Sequence, residues 1–280
     1  MEPCTNSVMK EHGLRRYDER SFFTWALKRK VRMSKISDAL DRSRREQERP
    51  PLGVETPGDV PTVLGAARSE LPESDVEAYQ SLGTELYMSL SELPSRTVMF
   101  ASAETGAGTS TVAREFATVM ALNRETRTLL VDANLRRPTQ HEALSVPRSP
   151  GISDYILGEA ELSDCLRPTK IANLSILPAG RPAVAPPRVF SDSRMSSALG
   201  EFRNAYDLVV VDSAPLAPFS EGVQLSRVVD GVVMVIHSAS TKQTTARRVL
   251  AMLDDAGANV LGSVLNGRKL YIPQFIYERL

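Results

Sequence analysis

The stretch Thr97-Val98-Met99-Phe100-Ala101 runs without interruption into Ser102-Ala103-Glu104-Thr105-Gly106-Ala107-Gly108-Thr109-Ser110-Thr111, and a helical pattern continues to Asn123. Five residues of this kind, four of them consecutive apolar ones, have the length of a strand buried on both faces. A strand followed by a Gly-x-Gly turn and a helix start places backbone N–H groups and the positive end of a helix dipole at one point, which is the geometry of a phosphate site. The pattern of a phosphate loop is a small residue, four variable ones, then Gly-Lys-Ser/Thr. Ala103, Gly108 and Ser110 fit it, but the lysine position holds Thr109. A charge-assisted hydrogen bond is worth about 1.5–3 kcal/mol, so the missing ammonium lowers nucleotide affinity by roughly one to two orders of magnitude.

Working outward, the same alternation of elements recurs. A helix is expected over 75–93, with Val76, Tyr79, Leu82, Leu86 and Leu90 at three- and four-residue spacing. Further strands are expected at Thr128–Asp132, Leu174–Leu177, Asp207–Asp212, Gly231–His237 and Val260–Asn266, and a helix at Thr241–Asp255. Apolar strands separated by helices imply a doubly wound, mostly parallel α/β sheet, here a phosphate-loop nucleotide-binding type of domain over residues 74–268. Such sheets bind ligands at the carboxyl ends of their strands. Two of those ends are acidic: Asp132 in Asp132-Ala133-Asn134-Leu135-Arg136-Arg137-Pro138, and Asp212 in Asp212-Ser213-Ala214-Pro215. Asp132, Asp212 and the Ser110 hydroxyl form a candidate Mg²⁺ set, and the loop from Gly106 through Ala107, Gly108, Thr109 and Ser110 to Thr111 is the candidate nucleotide cradle.

Residues 1–73 form an N-terminal arm and linker. The first 50 residues hold 13 Lys/Arg against 8 Asp/Glu, a Pro/Gly-rich stretch follows from Pro50 to Pro72, and a short amphipathic helix is expected near 34–48. Met33 offers an alternative start. The whole chain of 280 residues has 34 Lys/Arg and 34 Asp/Glu, which argues against nucleic acid as a partner. Cys4 and Cys165 make no disulfide framework or metal spacing, and His12, His141 and His237 are scattered. No apolar run approaches the ~18 residues of a membrane span, so a cytoplasmic location is expected.

Together these motifs resemble the bacterial tyrosine kinases of exopolysaccharide and capsule systems, relatives of the Min/Par-type ATPases, over residues 34–39 and 77–280. The resemblance rests on Ser102–Thr111, Leu130–Pro138, Val209–Pro215 and the closing Val264-Leu265-Asn266, whose asparagine is expected beside a nucleotide base. It implies ATP or ADP with Mg²⁺ as cofactor. The implied partner is a membrane polysaccharide co-polymerase (a chain-length regulator), with homo- or hetro-oligomers among related kinases and a peripheral place at the inner membrane through that partner. The tail 269–280 supplies Tyr271 and Tyr277 as phosphorylation candidates. Three family features are altered: Thr109 replaces the lysine, Asn134 the second aspartate of D-x-D, and Gln80 and Gly83 the arginines of E-x-x-R-x-x-R. The expectation is therefore a degenerate kinase-like protein that regulates or scaffolds polysaccharide synthesis and export, in which Asp132 and Asp212 carry whatever catalysis remains. The alternatives are an active tyrosine autokinase using Arg136 or Arg137 as its cation, and a dinucleotide-binding oxidoreductase; the latter leaves Leu135–Pro138 and the Asp212 motif unexplained.

Overall fold

A computed structural model describes residues 71–93, 95–123, 126–182, 190 and 193–267. The expected helix at 34–48, the rest of the arm before residue 71, and Tyr271 and Tyr277 lie outside the described residues. In chain order the elements are α1 (Glu73–Ser89), β1 (Arg96–Ser102), α2 (Thr109–Asn123), β2 (Thr128–Ala133), α3 (Gln140–Ala143), α4 (Ile152–Ile156), α5 (Leu162–Cys165), β3 (Arg167–Pro168), β4 (Leu174–Leu177), α6 (Ser193–Ala205), β5 (Leu208–Ser213), α7 (Glu221–Leu225), β6 (Gly231–His237), α8 (Gln243–Asp255) and β7 (Val260–Asn266). The strands form one sheet in the order β3-β4-β2-β5-β1-β6-β7. All pairings are parallel except that of β3 with β4.

Why this sheet is buried on both faces follows from the two-residue period of a strand. In β1, Val98 and Phe100 enter a core with Phe116 and Met120 of α2 and Leu86 of α1. Met99 and Ala101 enter the opposite core with Met195, Leu199 and Phe202 of α6 and Val249 and Leu253 of α8. Phe100 and Phe116 meet at a ring-centroid distance of 5.2 Å. Gly83 of α1 faces inward, and a Cβ there would stand 2.5 Å from Met120 Sδ. The absent side chain at 83 thus lets α1 lie close on α2.

The two borders of the sheet differ. β3 is two residues long and ends in Pro168, whereas β7 runs for seven residues with alternate positions exposed. The apolar residues of β7 suggest burial, but its outer side has no strand partner among the described residues. Between β2 and β5 the sequence suggests irregular chain with one short strand. The structure instead places α3, α4, α5, β3 and α6 there beside β4.

One buried carboxylate organises that region. Asp154 accepts hydrogen bonds from Gly151 N (2.8 Å), Ser149 Oγ (3.0 Å), Arg181 N (3.2 Å) and Arg181 Nε (2.7 Å). Burial pushes its pKa up, but the Arg181 guanidinium, the Gly151 N–H and the Ser149 hydroxyl outweigh it and hold the carboxyl below its ordinary value. Arg181 is largely exposed, so most of the stabilisation comes from the donors that would lose their acceptor rather than from the ion pair. Asp154→Ala is expected to lose about 3 kcal/mol of stability. Because the folded pKa is depressed, this contribution is present above the ordinary carboxylate range of about 4 and disappears as pH falls through the lower folded value. Denaturant titrations between neutral and acidic pH check both points: the difference between wild type and variant should shrink at the acid end.

Candidate functional site

β1 is flanked by β5 on one side and β6 on the other, and the chain leaving it crosses towards β2 while later strands go the other way. The loop after β1 therefore sits at the switch point where open α/β sheets leave a crevice. Gly106 and Gly108 both have positive φ, +86° and +83°, which an L side chain adopts only with strain. Helix α2 begins at Thr109, two residues earlier than its apolar spacing suggests, and Val112 N donates the first helical bond to Gly108 O at 3.0 Å. The N–H groups of Thr109, Ser110 and Thr111 fall in the first turn, where no intrahelical acceptor exists. Asn266 at the end of β7 reaches across and donates from Nδ2 to Ala107 O at 2.9 Å. From the β5 side, Leu216 N and Ala217 N donate to Ser102 O and Ala103 O. The cradle is thus held from both flanks.

The position that the phosphate-loop pattern gives to lysine is neutral here. Thr109 is buried at the lysine position, 7% exposed, and is short and neutral. Arg136, one of the two arginines that the sequence offers as a substitute, is engaged elsewhere. Its Nε donates to Glu221 Oε1 at 2.5 Å and its guanidinium stacks on Phe219, 3.9 Å from the ring centroid. Arg137 has an exposed side chain, and its backbone N–H donates to Asn134 Oδ1 at 3.2 Å.

The two strand-end acids stand side by side. Asp132 of β2 and Asp212 of β5 are register partners, and both are fully buried. Asn134 N and Gln140 N donate to Asp132 at 3.3 and 3.1 Å. Gln140 Nε2 donates to Asp212 Oδ2 at 2.7 Å and to Ser110 O at 2.9 Å. Burial, and for Asp132 the neighbouring charge of Asp212, pushes both carboxyls up, Asp212 to about 6. The Ser110 hydroxyl, the Gln140 amide and the charge of Arg114 act on Asp212 in the other direction. Among the described residues, Asp212 Oδ1 and Gln140 Oε1 are buried without a hydrogen-bond partner. A buried acceptor left in this state costs about 1–3 kcal/mol. A pocket of oxygen acceptors with no ammonium or guanidinium bonded to its acids fits a hard divalent cation such as Mg²⁺. No group of three His, Cys, Asp or Glu among the described residues could hold a metal, so such an ion depends on neutral oxygens and on its ligand's phosphates as well.

Thus the fold brings Gly106–Thr111, Asp132, Asp212 and Asn266 to one end of the sheet. Asn134 lies beside them, but its side chain is turned into the loop. His141 stands in α3 next to Glu142 at 3.8 Å, and His237 ends β6. Gln140 and Glu221 are the residues that sequence reasoning missed. Gln140 follows the Arg-x-Pro turn with nothing in its type or spacing to mark it; only the return of the chain over β2 and β5 gives it a role.

No protein-family model matches the chain. The tyrosine-protein kinase YwqD of Bacillus subtilis is 29% identical over 204 residues, 73% of this chain and 86% of that protein. The kinase domain of the Escherichia coli tyrosine kinase ETK superposes with a TM-score of 0.66 at 25% identity, covering 70% of this chain and 79% of that domain. Both are tyrosine kinases of bacteria, and this chain is similar to them over about 70% of its length. The tyrosine-kinase fold extends to a more distant neighbour, the septum site-determining protein MinD of Pyrococcus horikoshii complexed with Mg-ADP, with a TM-score of 0.52 at 21% identity over 66% of this chain and 76% of that one.

Gly108 is the most constrained point of the loop after β1. A Cβ there would lie 2.1 Å from Asn266 Nδ2, so Gly108→Ala must both strain the backbone and break the bond to Ala107. The variant is expected to lose about 1–2 kcal/mol of stability from its backbone alone and to lower ADP affinity beyond that of Asn266→Ala. Thermal unfolding and calorimetric ADP titration measure the two effects.

Proposed function

We propose that this chain is a degenerate relative of the bacterial tyrosine kinases: a weak nucleotide-binding protein that regulates or scaffolds exopolysaccharide or capsule synthesis and export beside a membrane polysaccharide co-polymerase. The observation that carries the reading is the charge of the cradle. Its N–H groups and glycine turn are in place, while Thr109 stands where a cation belongs and Arg136 is bound to Glu221 and Phe219.

The chain's own residues divide the work as follows. The first-turn N–H groups of α2 hold phosphate oxygens, Asn266 fixes the loop carbonyl at Ala107, and Gln140 keeps Ser110 and Asp212 in register. Mg²⁺, when bound, supplies positive charge to the phosphates, and Ser110, Asp212 and Asp132 are the residues to hold it. Phosphoryl transfer needs charge placed in advance around the transferring group, and Thr109 offers none. Asn134 is neutral and its oxygen is already used by Arg137 N, so it is no general base for a tyrosine hydroxyl. What remains is a domain that responds to nucleotide and docks.

The arm of residues 1–73 and the tail of 269–280 are the segments we assign to partners, with the co-polymerase holding the protein at the inner membrane. The altered assembly motif agrees: position 83 packs on Met120 instead of presenting an arginine. The competing reading is an active autokinase phosphorylating Tyr271 or Tyr277. It is favoured by the kinase names of the relatives and by Arg114, whose charge is felt at Asp212.

Incubation of the purified chain with Mg-ATP separates the two. No phosphotyrosine is expected; robust phosphotyrosine that vanishes in Asp212→Ala overturns the degenerate reading. In the same preparation, Thr109→Lys is expected to tighten ATP binding by roughly 10- to 100-fold, the worth of one charge-assisted hydrogen bond, as read by calorimetry.

A further inference from the structure

We propose that the side-chain carbonyl oxygen of Gln140, with Asp212 and the Ser110 hydroxyl, forms the protein half of a divalent-cation site, and that Asn134 takes no part in it. The proposal deepens the nucleotide-cradle reading and rests on it.

The orientation of the Gln140 amide is fixed by chemistry. Its Nε2 lies between two acceptors, Ser110 O at 2.9 Å and Asp212 Oδ2 at 2.7 Å. Reversing the amide would set oxygen against both of them. Oε1 is therefore the end with no hydrogen-bond partner, on a residue that is fully buried. Asp212 Oδ1, on the other partner of the same hydrogen bond, is buried and unmatched too. Two acceptors joined through one short contact, beside a second buried carboxylate at Asp132, ask for a positive partner rather than for another acceptor. All the atoms available are oxygens, which suits Mg²⁺ or Mn²⁺ better than a soft ion. Asn134 has the wrong commitment: its Oδ1 already accepts from Arg137 N at 3.2 Å and closes the turn after β2.

A purely structural clasp at Gln140 and a ligand at Gln140 respond oppositely to one substitution. Gln140→Glu removes the donor to Asp212 and adds repulsion, so a clasp role makes cation binding weaker. A ligand role makes it stronger, because a carboxylate oxygen replaces an amide oxygen. The experiment is a Mn²⁺ titration of the full chain, followed by electron paramagnetic resonance with and without ADP, on wild type, Gln140→Glu, Gln140→Met and Asn134→Asp, each checked for folding by circular dichroism.

Gln140→Glu is expected to tighten Mn²⁺ by about 10-fold and Gln140→Met to weaken it by about 10- to 100-fold, the range typical of residues that tune a metal site. Asn134→Asp adds the same charge nearby and is expected to change the affinity by less than about 3-fold, since its side chain is held in the turn. Protein carrying ¹³C-labelled glutamine should show a hyperfine coupling to bound Mn²⁺ that Gln140→Met abolishes. Weaker binding by Gln140→Glu, a larger gain from Asn134→Asp, or no Mn²⁺ binding by wild type at millimolar concentration each overturns the proposal. ADP binding in EDTA reports on the cradle separately: its loss in wild type sinks the nucleotide reading, whereas ADP binding with Gln140 variants indifferent to Mn²⁺ sinks only this proposal.

Discussion

The parallel register of β2 against β5 fixes the chemistry of this protein, because it sets Asp132 directly opposite Asp212 at the carboxyl edge of the sheet. Two carboxylates taken out of water next to each other are unfavourable as a charged pair unless a proton or a cation accompanies them. Every nearby feature is an answer to that constraint. Backbone N–H groups of Asn134 and Gln140 serve Asp132, the Gln140 amide serves Asp212, and the loop of β1 brings Ser110 alongside. None of these answers is a full positive charge. The arginine closest in sequence to the first acid, Arg136, is instead held by Glu221 and the Phe219 ring.

A cradle built in this way separates recognition from chemistry. Phosphate recognition by N–H groups depends on the shape of the backbone, and the shape is preserved by Gly106, Gly108 and the Asn266 strut. Transfer depends on charge aimed at the reacting group, and in the proposed reading the neutral side chains of Thr109 and Asn134 supply none.

The sheet was legible in the sequence because β1, β2, β5 and β6 carry short uninterrupted apolar runs, of strand length and too short for a helix, between longer helical stretches. The glycine turn after β1 was legible on other grounds: Gly106 and Gly108 both take a positive φ, which favours glycine. The region between β2 and β5 was not. Helices α3, α4 and α5 have four or five residues each, too few for a helical period to declare itself. Helix α6 did carry a signal, with Met195, Ala198, Leu199 and Phe202 buried at helical spacing; the surrounding Pro and Ser residues masked it. The exposure of β7 was hidden because an apolar edge strand and an apolar central strand have the same composition. Gln140 was out of reach altogether, as its partners lie 30 and 72 residues away.

The unequal borders of the sheet have a consequence for how the molecule meets other chains. At the β3 border, a two-residue strand ending in proline presents almost no backbone for a newcomer to zip onto, which is a common natural guard against ribbon-like clumping. At the β7 border, seven residues of extended chain offer a full ladder among the described residues. Among the described residues, an added strand would therefore meet a full backbone ladder at the β7 border and almost none at the β3 border.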